Sequence, residues 1–274
     1  MNATPIVAER ATNLSPDAGS ATLLGLDPLV RKDFREWARG KRAWVTTFVV
    51  APILALTAAN GAINHWIIAN VPTESGQQIK PISMDPTTNF LAAIGTQFVI
   101  IAAIFATMSL MASERESGTL AWTASKPVSR LSIWVSKWIT ASATLFVAAV
   151  LVPVAVTVVV TVALYGPLDP ALVVATIVGL EATIVLFTAI GLAVGAYARS
   201  QAVVVSVGLG VLFIPSILGG IWAPLNDFLP TSIFGWILQL GAGQVGSPVT
   251  PVAWLVSIGA IVAVAARRMQ RMEF

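Results

Sequence analysis

Apolar residues run along this chain in stretches of about twenty, separated by short segments that collect the charges, prolines and glycines. Those stretches predict six helical spans, at about 44 to 67, 89 to 112, 138 to 164, 171 to 197, 202 to 223 and 251 to 266. About 20 apolar residues, each rising 1.5 Å, cross roughly 30 Å of hydrocarbon. The expected fold is therefore an all-α polytopic membrane protein, with one six-span transmembrane domain over 44–274. Pro52, Pro153 and Pro215 each remove an intrahelical hydrogen bond, which predicts kinks in spans one, three and five.

From Pro215 to Pro251 the chain stays apolar yet is interrupted by Gly219, Gly220, Pro224, Pro230, Gly235, Gly241 and Gly243. Continuous helix is excluded there. Backbone at membrane depth must satisfy its own hydrogen bonds, so the expectation is a set of broken, re-entrant-like helices packed on other spans before span six.

Ahead of span one, residues 1–26 contain Glu9, Arg10, Pro16 and Asp17 and no continuous apolar stretch, which predicts a cytoplasmic tail rather than a cleaved signal. Asp27-Pro28 is a helix-start signal, an acidic cap followed by proline at the first helical position. Over 27–43, Val30, Phe34 and Trp37 recur on one face opposite Arg31, Lys32, Arg35 and Arg39. That pattern predicts an amphipathic interfacial helix, apolar side in the acyl boundary and basic side toward anionic lipid headgroups.

Composition changes the picture in one respect. The chain is 56% hydrophobic and 11% charged, with a mean hydropathy of +0.82, which excludes a soluble domain as the reading of the whole. The net charge of +3 and a pI near 9.6 could point to nucleic acid, but the basic residues follow topology instead. With six spans, all of the 16 Lys and Arg residues except Lys80 fall on one side. Lys and Arg are retained on the cytoplasmic side, so both termini are expected there and no nucleic-acid partner is implied. The other side carries Glu74, Asp85, Asp169 and Asp227. A multi-pass protein of the cell membrane, plasma or inner, is the expected location.

The chemistry for an enzyme is missing. There is no cysteine and a single histidine, His65, so neither a thiolate nor a His-based metal site is expected. No phosphate-binding loop, H-E-x-x-H or G-x-S-x-G motif occurs. One ionisable residue lies deep in a span. Glu181 is about ten residues into span four, on the order of 15 Å from its end. A carboxylate there costs a few kcal/mol and so faces protein or water, either lining a cavity or joining helices by a hydrogen bond. A proton-coupled carrier needs several such groups, so one carboxylate suggests that energy arrives from outside the membrane.

The polar island from Glu114 to Lys137, ERESGTLAWTASKPVSRLSIWVSK, separates spans two and three. Ser113 or Ser117 is placed to cap a short helix through about Ala124, with Glu114 and Glu116 at its positive end and Pro127 ending it. Leu120 and Trp122 would then be presented outside the hydrocarbon, as on an arm that touches something beyond the bilayer.

At these residues the chain resembles permease subunits of the type-2 ABC exporter family. Glu116-Ser117-Gly118-Thr119-Leu120 is similar to the family's E-x-G-T-[LM] signature after span two. Pro127-Val128-Ser129-Arg130, then Lys137, resembles its P-[VLI]-[ST]-R and G-K stretch, with Ser136 in place of the glycine. Arg31-Lys32-Asp33-Phe34-Arg35-Glu36 resembles the basic helix ahead of span one. The resemblance implies that 113–130 is a cytoplasmic coupling helix docking in a separate ATP-binding-cassette ATPase subunit, through Glu114, Glu116, Gly118, Thr119, Leu120 and Trp122. It further implies a second permease copy or related permease as partner, no cofactor in this chain, and ATP and Mg held by the ATPase. The cargo expected from an apolar set of spans is hydrophobic or amphiphilic. Two other classes stay open on the residues: a secondary carrier or channel that is not driven by ATP, with Glu181 as its ion site, and a structural membrane subunit without transport.

Overall fold

The computed structural model describes residues 23–70, 81–95, 97–116, 128–198 and 200–271. Among them the chain forms helices and turns and no strand. Helix α1, Leu26–Arg39, precedes six helices long and apolar enough to cross a membrane: Trp44–Asn70, Pro86–Thr107, Arg130–Tyr165, Pro170–Tyr197, Gln201–Ile221 and Val249–Gln270. These are called spans one to six.

Span four is the axle of the bundle. Its single stretch of 28 helical residues contacts spans two, three, five and six and the short helix Ile233–Gly241. Small residues set its close approaches. A Cβ on Gly191 would come within 2.6 Å of Thr107 Oγ1 of span two, and one on Gly179 within 2.8 Å of the Phe234 ring. Leu180, Ile184, Ala189 and Leu192 of span four join Val99, Ala103, Ala106 and Met111 of span two in the main core. Spans five and six leave wide apolar faces uncovered, including Phe213, Ile214, Ile217, Leu255 and Val256. Such faces suit lipid, since in a membrane nothing drives Leu away from acyl chains.

Three departures from regular helix explain how the spans bend. Span two breaks between Ile94 and Phe98, where Gln97 adopts a φ of +60°, so the continuous run expected over 89–112 is two helices. In span three, a π-helical turn over Phe146–Leu151 precedes Pro153. The proline's missing N–H and ring are accommodated by that wider turn. In span one, the Tyr165 hydroxyl enters the ladder: it accepts from the Ala62 N–H at 2.8 Å and donates to the Ala58 carbonyl at 2.8 Å. This ties the end of span three to span one.

Between spans five and six the chain forms two 3₁₀ turns, Ala223–Phe228 and Pro230–Ser232, then the helix Ile233–Gly241. The glycine and proline breaks anticipated this segmentation, and the helix packs along span four.

Asp85 starts span two. Its Oδ2 accepts from the Thr88 N–H at 2.7 Å and the Thr88 hydroxyl at 2.8 Å, with Pro86 at the first helical position. Those hydrogen bonds, the backbone one first, hold its carboxyl below the ordinary value of 3.8. A group with a lowered folded pKa stabilises the fold above its unfolded value, and that contribution is lost as pH falls through the folded value. The melting-temperature gap between the wild type and Asp85→Ala should therefore be full at neutral pH, narrow below about pH 4 and close in stronger acid. A gap that stayed constant to the acid limit would show that the cap is not charge-assisted.

Candidate functional site

Basic residues at the start of span three contact the ends of spans two and six, on either side of residues 117–127, which lie outside the described residues. The helix of span two continues through Glu116, so residue 113 lies within helix and Ser113 is not the start of a new one. Gly118, Thr119, Leu120 and Trp122 lie outside the described residues, as does the side chain of Glu116. What is described is the base on which this arm stands.

Lys137 carries the base. Its side chain is 8% exposed, and its Nζ donates to Glu114 Oε1 at 2.6 Å, joining the end of span two to the first turns of span three. An ammonium this deep needs a carboxylate, because burial of an unpaired charge is far costlier than the pair. Glu114 is among the residues expected to dock in an ATPase, and its carboxylate is partly buried and accepts from Lys137.

At the preceding residue, the Ser136 hydroxyl donates to Asp33 Oδ2 at 2.9 Å, with both side chains buried. Asp33 belongs to α1, which turns Leu29, Asp33 and Trp37 toward span three and leaves Phe34 half exposed. On that face Asp33 accepts from Ser136, while Phe34, expected with Val30 and Trp37 in the acyl boundary, stays half exposed. Arg31, Lys32 and Arg35 remain exposed, Arg31 pairing with Asp27 at 3.1 Å and Lys32 lying 3.9 Å from Glu36. Ser136 and Asp33 both fall within the family resemblance, but their contact with each other was not read from sequence. An acid spaced four residues from both Leu29 and Trp37, on one helical face, was the available signal.

The returning strand of the arm is anchored as well. The Ser129 N–H donates to the Leu24 carbonyl at 3.0 Å, and the Ser129 hydroxyl accepts from the Ser132 N–H at 3.0 Å, capping span three. Arg130 donates to the Gln270 carbonyl of span six at 3.1 Å. At span four's end, Arg268 of span six stacks over Tyr197 at 5.1 Å and donates to the Ala196 carbonyl at 3.3 Å. A displacement of the arm would consequently be felt by α1 and by spans two, three and six at once.

A second feature lies in the spans. Glu181 borders an open groove of about 440 Å³ between spans three and four, walled by Trp138, Ile139, Ala143, Phe146 and Val185. Its buried Oε2 has no hydrogen-bond partner among the described residues, so it does not join helices within this chain through that atom.

The family model described as ABC-2 family transporter protein matches residues 28–239, from α1 to the short helix before span six. No curated protein matches the chain.

Proposed function

The chain belongs to the ABC-2 family of transporter proteins and is a membrane-transport permease; from that premise we propose that it is the transmembrane subunit of an ATP-driven exporter of a hydrophobic or amphiphilic substrate. It lacks a phosphate-binding loop of its own, so ATP and Mg sit in a partner ATP-binding-cassette subunit. A second copy of the chain, or a related permease, completes the pathway in the plasma or inner membrane. The observation that supports the reading is the construction of the arm's base: Lys137–Glu114 and Ser136–Asp33 convert a push on 117–127 into movement of α1 and spans two and three together.

In this reading Glu116, Gly118, Thr119, Leu120 and Trp122 dock in the ATPase, on the cytoplasmic side. Arg31, Lys32 and Arg35 lie against anionic headgroups, each contributing about 1 kcal/mol near the surface. Closure of the ATPase pair on ATP pushes the arms and switches the cavity between permeases from inward-open to outward-open.

The test is reconstitution of the chain with an ATP-binding-cassette subunit in liposomes, scoring nucleotide-dependent export and permease-stimulated ATP hydrolysis. Gly118→Trp should lower both by about tenfold or more, as expected when a bulky side chain enters a packed interface and costs over 1.4 kcal/mol. Flux driven by an ion gradient with no nucleotide would instead identify a secondary carrier or channel.

A further inference from the structure

Within the groove between spans three and four, the polar side chains of the walls other than Glu181 are engaged with other partners. The Trp138 indole N–H donates to the Val185 carbonyl at 3.0 Å. The Ser142 and Thr188 hydroxyls share a hydrogen bond at 2.9 Å, and Thr188 Oγ1 also lies 2.8 Å from the Ile184 carbonyl. The other walls, Ile139, Ala143, Phe146 and Val185, carry no polar side-chain atom. Glu181 is the single charged residue of span four, and the two basic residues of span three point elsewhere: Lys137 to Glu114, and Arg130 to the Gln270 carbonyl. Glu181 thus lines a mostly apolar groove, and its buried Oε2 has no hydrogen-bond partner among the described residues.

We propose that this groove is a binding site for a lipophilic monocation, an amine or iminium group on an apolar body, entering sideways from the lipid. The visitor's cation supplies the donor and the charge that Glu181 lacks, and an ionised pair with a hydrogen bond is among the stronger contacts available at low dielectric. Trp138 and Phe146 offer aromatic faces, which attract cations where water is excluded. The volume of about 440 Å³ falls within the range of small-molecule sites. An anionic or zwitterionic cargo would leave a negative charge beside Glu181 and is disfavoured at this place. The proposal deepens the export reading by naming the class of amphiphile, and depends on that reading only for the groove's use in transport.

The experiment is an equilibrium titration by fluorescence anisotropy of the whole chain in nanodiscs of zwitterionic lipid, with rhodamine 6G as the cationic probe and an uncharged boron-dipyrromethene dye of similar size. The wild type should bind the cation, and Glu181→Gln should weaken it by about tenfold while changing the neutral dye by less than about twofold. Glu181→Asp, which keeps the charge, should recover part of the loss. Ala143→Trp, which fills the groove without altering charge, should remove cation binding in a protein whose thermal unfolding matches the wild type. Equal binding of rhodamine 6G to wild type and Glu181→Gln would overturn the proposal, as would unaltered binding to Ala143→Trp. Failure to bind the cation at all would mean that lipid tails or a neighbouring subunit's helix cover the groove, and would equally overturn it. The titration contains neither nucleotide nor ATPase, so its failure leaves the ATP-driven reading standing, and failure of that reading leaves the titration unchanged.

Discussion

Lys137→Met is expected to destabilise the chain by about 3 kcal/mol, one of the two largest effects of any single substitution argued for this chain. Removing the ammonium leaves Glu114, whose side chain is 23% exposed, in a site arranged for a charge pair. Its partial exposure places the loss at the lower end of the range for breaking buried pairs. Glu114→Leu should also destabilise, by leaving an ammonium that is only 8% exposed. The double variant Glu114→Leu/Lys137→Met should lose much less than the sum, because two apolar groups of similar size leave no charge behind. Thermal unfolding of the four proteins in one lipid gives the coupling energy. Additive losses would mean that the 2.6 Å contact does not hold spans two and three together. With an ATPase partner present, the double variant separates stability from coupling: the protein stays folded, but the arm's base has lost its ion pair. Stimulated ATP hydrolysis should then fall more than the melting temperature does.

The spans were legible in sequence because the bilayer imposes one requirement, a run of apolar residues long enough to cross it, and each of the six runs satisfies it. The segmented stretch before span six was legible for the same kind of reason, since Pro224, Pro230 and Gly241 interrupt an otherwise apolar run and the helix Ile233–Gly241 sits between them. What sequence could not supply is which partner each polar group finds. Asp33 reads as part of a charged helix and is in fact the acceptor for Ser136, a contact between residues 103 apart in the chain. Tyr165 carries no sequence signal of its partner, and the structure shows its hydroxyl inside the hydrogen-bond ladder of span one. The break at Gln97 had no proline to announce it, because a φ of +60° at a non-glycine residue is set by tertiary packing and not by local propensity. At the arm, the E-S-G-T-L resemblance located the segment, whereas the residues that fasten it, Lys137, Ser136 and Asp33, are separated from it in sequence and meet only on folding.

Trp134→Ala should cost about 3–5 kcal/mol, the range for removing a fully buried large aromatic side chain. Trp134 is 0% exposed, a member of the main core near the start of span three, and its ring lies 5.4 Å from that of Trp138. Truncation leaves a void in a core shared by several spans, which has little room to collapse. A second feature of the same residue makes the argument discriminating. The Trp134 Nε1 has no hydrogen-bond partner among the described residues, and an unmet buried donor costs about 1–3 kcal/mol. Trp134→Phe deletes that donor while keeping most of the aromatic surface. Its smaller volume and its relief of the orphan group act in opposite directions, so the net change should stay within about 1 kcal/mol. Unfolding of the three proteins, followed by a probe other than tryptophan fluorescence, tests this ordering. A Phe variant as unstable as the Ala variant would mean that the indole N–H is satisfied in the folded protein and that its hydrogen bond, rather than its bulk, stabilises the core. The expected order, wild type close to Phe and both far above Ala, would instead make the bulk of Trp134 the source of its contribution.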